Sequence, residues 1–526
     1  MINVIKYADI ELESAVLMLI FTGRSGQMIT QDDVIYFIIT DRFYGADSSN
    51  NALVDTNDPR RYHGGDFAGI IEKIPYLKNL GITALWITPV YLSVGRVNDS
   101  DGYHGYWALD FNKVDPHLYS NNPALARGSK EYLKRLSDKL HENGIKLILD
   151  MVVNHTGYHN ETYNQYPEKE IKDDWFNEGN GDDVVKSQLC GLPDLNHSKP
   201  DVVDYFVNNI TEWIEQTRID AIRMDTVKHV EDTFWYHFKS YVKGKHRDIT
   251  LIGEVLQWDI DSISRYQKEH DFDTLFDFPL CQAVKKTFIY NESMTTIAKP
   301  RLSQYEPRGI LDKDKLYTNA NRLVTLLDNH DLSKRFTTEV LDRWGHWDRL
   351  RANKILKLSL SFLFTTRGIP QIYYGTEIAM EGYADPDNRR DMRWEIFGQN
   401  CMPLEQYKYE KDIFDHTKKL IEIRRQNEAV RYGYLFTLFA DYFVYCYMRE
   451  FKGNTIIVLI NNGFENMPSP LTVEIDKNAN VPQRIKDHLK DKQFVNLLDS
   501  TDKLALENGS IKIQVPGKEA KIYRAL

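Results

Sequence analysis

Cysteine is scarce in this chain: four residues in 526, at Cys190, Cys281, Cys401 and Cys446. None stands in a CxxC spacing, so neither a thiolate zinc site nor a disulfide-framed scaffold is suggested. Free thiols in a reducing compartment are the simpler reading. Basic charge is also short, with 66 Lys and Arg against 76 Asp and Glu and a net charge of −10. That balance argues against nucleic acid or an anionic membrane as a partner. No apolar run is long enough to span a bilayer. The run at residues 15–21 follows two glutamates and precedes no small-residue cleavage site, so it makes a poor signal peptide. Residues 1–27 are therefore expected to be an N-terminal extension. The expected location is cytoplasmic, with secretion the alternative if the native start differs. Aromatic residues, in contrast, are plentiful: 31 Tyr, 24 Phe and 9 Trp. Most should serve core and surface, but flat rings with hydroxyls also suit sugar faces.

Short apolar runs alternate with amphipathic helical stretches. The runs are "VIYFIIT" (34–40), "GITALWITPV" (81–90), "GIKLILDMVV" (144–153), "AIRMD" (221–225), "ITLIGEV" (249–255), "FDTLFDF" (272–278), "RLVTLLDN" (322–329) and "IPQIYYG" (369–375). Apolar strands with helices between them mean a parallel sheet covered by helices. Eight of them predict an α/β fold, a closed (β/α)8 TIM barrel over residues 28–153 and 201–429. Residues 154–200 are polar, aperiodic and too long for an ordinary loop, which predicts a small inserted domain after the third strand. From 430 to 526 the pattern turns to alternating strands, such as "YFVYCYMRE" and "TIIVLINN". A C-terminal antiparallel β-sandwich is expected there.

Catalytic groups in such barrels sit at the C-terminal ends of the strands. Strand 3 ends at Asp150, followed by Asn154 and His155; strand 4 at Arg223 and Asp225; strand 5 at Glu254; strand 7 at Asp328, Asn329, His330 and Asp331. Four strand ends bringing carboxylates to one mouth incur like-charge repulsion, which a purely structural core would avoid. Asp225 and Glu254 are one strand–helix unit apart and should face one cleft. Paired carboxylates suit glycosidic-bond cleavage, one as nucleophile or base and one as proton donor. Arg223 shares a strand face with Asp225 and should hold it ionised.

Several segments together resemble the α-amylase family of glycoside hydrolases. "DMVVNH" (150–155), "IRMDTVKH" (222–229), "GEVL" (253–256) and "LLDNHD" (326–331) resemble its four main motifs, and "GLPDLNH" (191–197) its further motif in the inserted domain. "GYHGYW" (102–107) and "DPDNRR" (385–390) resemble its sugar-binding loops. The resemblance implies Asp225 as nucleophile and Glu254 as general acid/base, with retention of configuration. Asp331 would hold sugar hydroxyls and favour the distorted transition state. By the same resemblance Tyr106 stacks under the ring with Trp107 behind it, and His155, Arg223, His330, Asp385 and Arg389 line that subsite. Lys228 and His229 would face the leaving-group side.

The resemblance further implies Ca²⁺ held by Asn154, Asp194 and the His229 carbonyl, tying the inserted domain to the barrel. A second loop, Asp47, Asn50, Asn51, Asp66 and the Gly64 carbonyl, is similar to a calcium site of cyclodextrin glucanotransferases, with Gly45 where that family has Asp. Its alternative is an Asn-rich turn. Cys190 and Leu256 stand where cyclising members carry aromatic rings, which argues against cyclisation. The expected activity is α-1,4-glucan hydrolysis on starch, glycogen or maltodextrins by a monomer. The alternatives are a cyclomaltodextrinase, maltogenic or transglycosylating member and, outside catalysis, a glucan-binding protein.

Overall fold

The computed structural model describes residues 27–120, 129–159, 167–168, 170–179, 183–299 and 309–526. The expected extension at 1–27 therefore lies outside the described residues apart from Gln27, whose N–H donates to Asp220.

Eight parallel strands form the barrel: β1 Ile35–Ile38, β2 Ala84–Ile87, β3 Lys146–Met151, β4 Ala221–Met224, β5 Thr250–Gly253, β6 Thr274–Leu275, β7 Val324–Thr325 and β8 Ile369–Tyr373. They run in the order β6-β5-β4-β3-β2-β1-β8-β7. A parallel bridge from Phe276 to Val324 joins the two ends and closes the ring. β1, β2, β4, β5 and β8 are buried along their whole length, as strands covered on both faces must be.

The covering helices follow from apolar spacing. In Pro200–Thr217 the proline occupies the first turn, where a missing N–H is harmless. Val202, Phe206, Ile210 and Trp213 recur at helical intervals and turn one stripe inward. Trp213 satisfies its indole N–H on the Phe111 carbonyl at 2.8 Å. Arg349–Thr365 is instead buried on most sides, its Asn353, Ser359 and Ser361 included, because it lies between the barrel and the C-terminal domain.

The inserted segment leaves after β3 and returns at Pro200. Isolated bridges His155–Asp194 and Phe176–Leu195 pull its ends together, and buried Trp175 anchors it. His197 donates to the Val153 carbonyl at 2.9 Å, fixing the return to the barrel rim.

The C-terminal domain holds a six-stranded antiparallel sheet: β9 Tyr434–Ala440, β10 Val444–Phe451, β11 Asn454–Asn461, β13 Gln493–Asn496, β14 Lys503–Ala505 and β16 Glu519–Ala525. Its facing layer is slighter than a full sandwich sheet, being the two-stranded pair β12 Leu471–Glu474 and β15 Ser510–Ile513 together with the helix Gln483–Leu489. Cys446, Met448, Ile457, Val473, Ile485 and Ile513 pack between the layers. The domain is fastened to the barrel by Arg449, which donates to the carbonyls of Thr365 and Gly433, and by Tyr447 against Thr365 at 2.5 Å. No helix among the described residues is long and apolar enough to cross a membrane.

Candidate active site

Arg223 lies at the centre of the barrel mouth and is fully buried. Its position on β4 turns it inward, over the indole of Trp86 at 5.3 Å. Trp86 stacks on Phe37 at 3.6 Å, so an aromatic floor closes the barrel beneath it. The guanidinium gathers the acids. Nη1 is 2.6 Å from Asp225 and 2.9 Å from Asp150. Nη2 is 3.8 Å from both Glu254 and Asp331. Three strand ends and the loop after β7 thus converge on one cation, as the strand-end reading expects.

Asp225 and Glu254 are joined through the backbone. Directly after Asp225 the chain enters the left-handed region at Thr226, φ 49°. That is an uncommon conformation for a β-branched residue. The turn aims the Thr226 N–H at Glu254, 3.0 Å from Oε2. The Glu254 carboxyl is pushed up to about 7, by burial first and then by the charges of Asp225 and Asp331 acting against Arg223. A carboxyl that keeps its proton near neutrality, beside an acid held by a guanidinium, can donate a proton to one atom while its neighbour attacks another.

Two of the strand-end acids do other work. Asp328 is turned away from the mouth and spends its oxygens on the Phe336 N–H and the Thr376 hydroxyl. Asp150 is fully buried and accepts from Arg223, from Trp86 and from the Tyr106 hydroxyl. Burial pushes it up to about 7 despite the guanidinium. It is a brace under the site.

Tyr106 stacks with His330 at 5.3 Å and also meets the His330 imidazole through its hydroxyl, 2.7 Å from Nε2. His155 reaches the Tyr106 carbonyl at 3.2 Å. Burial lowers the pKa of both imidazoles, leaving neutral rings that can serve sugar hydroxyls. Trp107 follows Tyr106 in the same loop. His104 lies against both rings, 5.7 Å from Tyr106 and edge-on to Trp107 at 4.7 Å. His104 accepts the Tyr106 N–H at 3.1 Å, a positioning contact that sequence reading missed although "GYHGYW" contained it. Asp385 is joined to Arg389 at 3.3 Å and to the Tyr103 hydroxyl at 3.2 Å, and Arg389 also points at the His330 carbonyl. Lys228 bonds the Leu256 carbonyl and His229 the Val184 carbonyl, so each ties a neighbouring loop to the turn after β4.

Beside the mouth, Asn154 Oδ1 and Asp194 Oδ1 are buried with no hydrogen-bond partner among the described residues. Burial, with Glu231 and Asp183 nearby, pushes the Asp194 carboxyl up to about 7. Orphaned hard oxygens of this kind suit an oxygen-loving cation. Around Asp66 the case is mixed. Asn50 Oδ1 and Asn51 Oδ1 are orphaned, but Asp66 already accepts the N–H groups of Ala46, Asp47 and Gly69. A Cβ at Gly45 would lie 2.2 Å from the Gly64 carbonyl oxygen, so no aspartate fits there in this geometry. Among the described residues no three His, Cys, Asp or Glu side chains form a metal cluster.

Comparison with known proteins shows the family. The family model "Alpha amylase, catalytic domain" matches residues 37–188 and 172–402. A beta/alpha-amylase of Paenibacillus polymyxa is 32% identical over 509 residues, 93% of this chain, which spans only 37% of that relative. A cyclomaltodextrinase of Thermoanaerobacter pseudethanolicus is 32% identical over 450 residues, 82% of this chain and 70% of its own. Among solved structures, an Anoxybacillus α-amylase superposes with a TM-score of 0.77 at 33% identity, covering 94% of this chain and 98% of its own. With the acids gathered on the guanidinium in this arrangement, the chain belongs to the α-amylase family of carbohydrate-active enzymes.

Proposed function

We propose that the protein is a retaining hydrolase of α-1,4-glucosidic bonds in starch, glycogen or maltodextrins, acting as a cytoplasmic monomer. The observation that carries this reading is the meeting of Asp225, Glu254 and Asp331 around buried Arg223. Asp225, bonded to Arg223, attacks the anomeric carbon while Glu254 protonates the departing oxygen. A covalent glycosyl-enzyme forms. Glu254, now ionised, then takes a proton from water, which attacks the same carbon and restores Asp225. Asp331, partly open to solvent, holds the hydroxyls of the sugar being cut. Tyr106, His155, His330, Asp385 and Arg389 complete its subsite. Lys228 and His229 border the leaving chain.

A cyclomaltodextrinase or transglycosylating activity is the second reading, favoured by the likeness to the Thermoanaerobacter cyclomaltodextrinase. A time course of products from soluble starch, maltoheptaose and β-cyclodextrin separates them. The hydrolase reading expects mixed short maltodextrins from starch with the cyclodextrin nearly untouched. It also expects an alkaline limb near pH 7, where Glu254 loses its proton. Rapid ring opening, or products longer than the maltoheptaose supplied, moves the assignment to the second reading. No turnover of all three overturns both.

Asn154, Asp194 and the His229 carbonyl would hold Ca²⁺, and the orphaned oxygens support that set. The ion would neutralise Asp194 and lock the inserted segment to the rim. It takes ionised Asp194, so each pH unit below about 7 should weaken binding about tenfold. At pH 8, saturating Ca²⁺ should raise the melting temperature by several degrees over EDTA, on the order of 3 kcal/mol at a hundredfold excess over Kd. The gain should shrink at pH 5.5 and vanish in Asp194→Ala. Identical melts at both pH values would remove the first site. The second set fits only in part, through Asn50 and Asn51 with the Gly64 carbonyl.

A further inference from the structure

The site leaves part of the aromatic excess unused. Trp347 is 89% exposed, and Tyr383 is 42% exposed. A lone exposed ring is ordinary, but two on one rim beside a cleft make a surface that a ligand can use. The Trp347 ring is nevertheless seated. It lies over Gly345, whose backbone is left-handed at φ 105°, and a Cβ there would come 2.8 Å from the indole. A glycine is what allows the ring to rest on the chain.

The two rings belong to one rim. His346 and Arg349, on either side of Trp347, both pair with Glu381, two residues before Tyr383. The Tyr383 hydroxyl donates to Asp342 at 2.8 Å, and Asp342 in turn pairs with Lys334 and His346. Two residues further on is Asp385, which pairs with Arg389 at the edge of the mouth. The rim is thus continuous with the cleft.

We propose that Trp347 and Tyr383 form a glucan-docking platform beyond the cleft, which seats sugars of a long chain remote from the bond being cut. The inference rests on the glucan reading above. The chemistry favours a neutral, hydroxyl-rich ligand. The charged groups around the rings pair with one another, so the rim offers hydrogen bonds without a net field for a charged partner. The outer face of Trp347 and the face of Tyr383 away from Lys334 suit the C–H faces of pyranoses.

The test is electrophoresis of the full chain through native gels with and without amylopectin, alongside initial rates on starch. Trp347→Ala should lose retardation by amylopectin, with the apparent Kd rising roughly 2- to 10-fold and further in Trp347→Ala/Tyr383→Ala. Trp347→Tyr should keep most of it. The KM for starch should rise in step, with kcat held. Equal retardation of native and alanine chains, with starch still hydrolysed, overturns the platform alone. A native chain that neither binds amylopectin nor hydrolyses starch overturns the glucan reading and the platform with it. A native dimer that Trp347→Ala converts to monomer in sedimentation overturns the platform in favour of a second copy of this chain.

Discussion

An Asp225→Asn chain should hydrolyse maltoheptaose on the order of 10⁴-fold more slowly than the native chain, while folding as well as it does. The amide keeps the shape of the carboxylate and one oxygen for Arg223 Nη1, which holds the native side chain at 2.6 Å. What it loses is the charge and the nucleophilicity that a covalent intermediate requires. The substitution has a second effect. Asp225 is one of the charges that hold the Glu254 proton, after burial. Without it the Glu254 carboxyl should titrate lower, and any residual activity should lose its alkaline limb at a lower pH. Initial rates across pH, with a thermal melt of each chain, read both effects. A rate within tenfold of native, from a chain free of native contaminant, would remove Asp225 from the nucleophile's role.

Replacing Arg223 should cost folding as well as activity. Its guanidinium stands between Asp150 and Asp225, both buried, and no other cation is hydrogen-bonded to either carboxylate among the described residues. Arg223→Met leaves those carboxyls beside one another in a low-dielectric site. Breaking a buried ion pair from one side typically costs about 3–5 kcal/mol, because the remaining charge is uncompensated. Urea unfolding at pH 8 should show a loss of that size. At pH 5 it should be smaller, since the folded state can keep protons on Asp150, which is pushed up to about 7 even with Arg223 present. Pairing the change with Asp150→Asn should restore part of the stability without activity, a non-additivity that separates charge balance from packing. A loss under about 1 kcal/mol at pH 8 would mean that the acids are held by something other than this guanidinium.

How much of this was legible before folding depends on what kind of fact each residue is. The barrel was legible, because eight apolar runs with helices between them allow few other closures. The acids of the mouth were legible because strand ends in such a barrel share one face. The fates of Asp150 and Asp328 were not. Both sit at strand ends like Asp225, but a turn in the following loop delivers Asp328 to Phe336 and Thr376, contacts made 8 and 48 residues away in the chain. His104 was hidden for a similar reason: its role is to accept one backbone N–H, which leaves no pattern in a sequence. The C-terminal antiparallel domain was legible as strands, but the make-up of its second layer was not. The apolar alternation that marks a strand does not reveal that the helix Gln483–Leu489 covers the same face.

The left-handed turn at Thr226 has a mechanical consequence. One peptide carries the Asp225 side chain on its near side and, through its N–H, grips Glu254 on the next strand. The spacing of the two acids is therefore held by this peptide and by two backbone bonds beside it, Glu254 N–H to Met224 and Val227 N–H to Glu254, like the fixed gap of a caliper. Breathing of the barrel that shifts β4 against β5 drags both jaws together. The gap between them decides whether water or a bound carboxylate sits opposite the leaving group, and so whether configuration is inverted or kept. Under the retaining mechanism proposed above that gap must hold, so Thr226 and its backbone neighbours have the least room to relax.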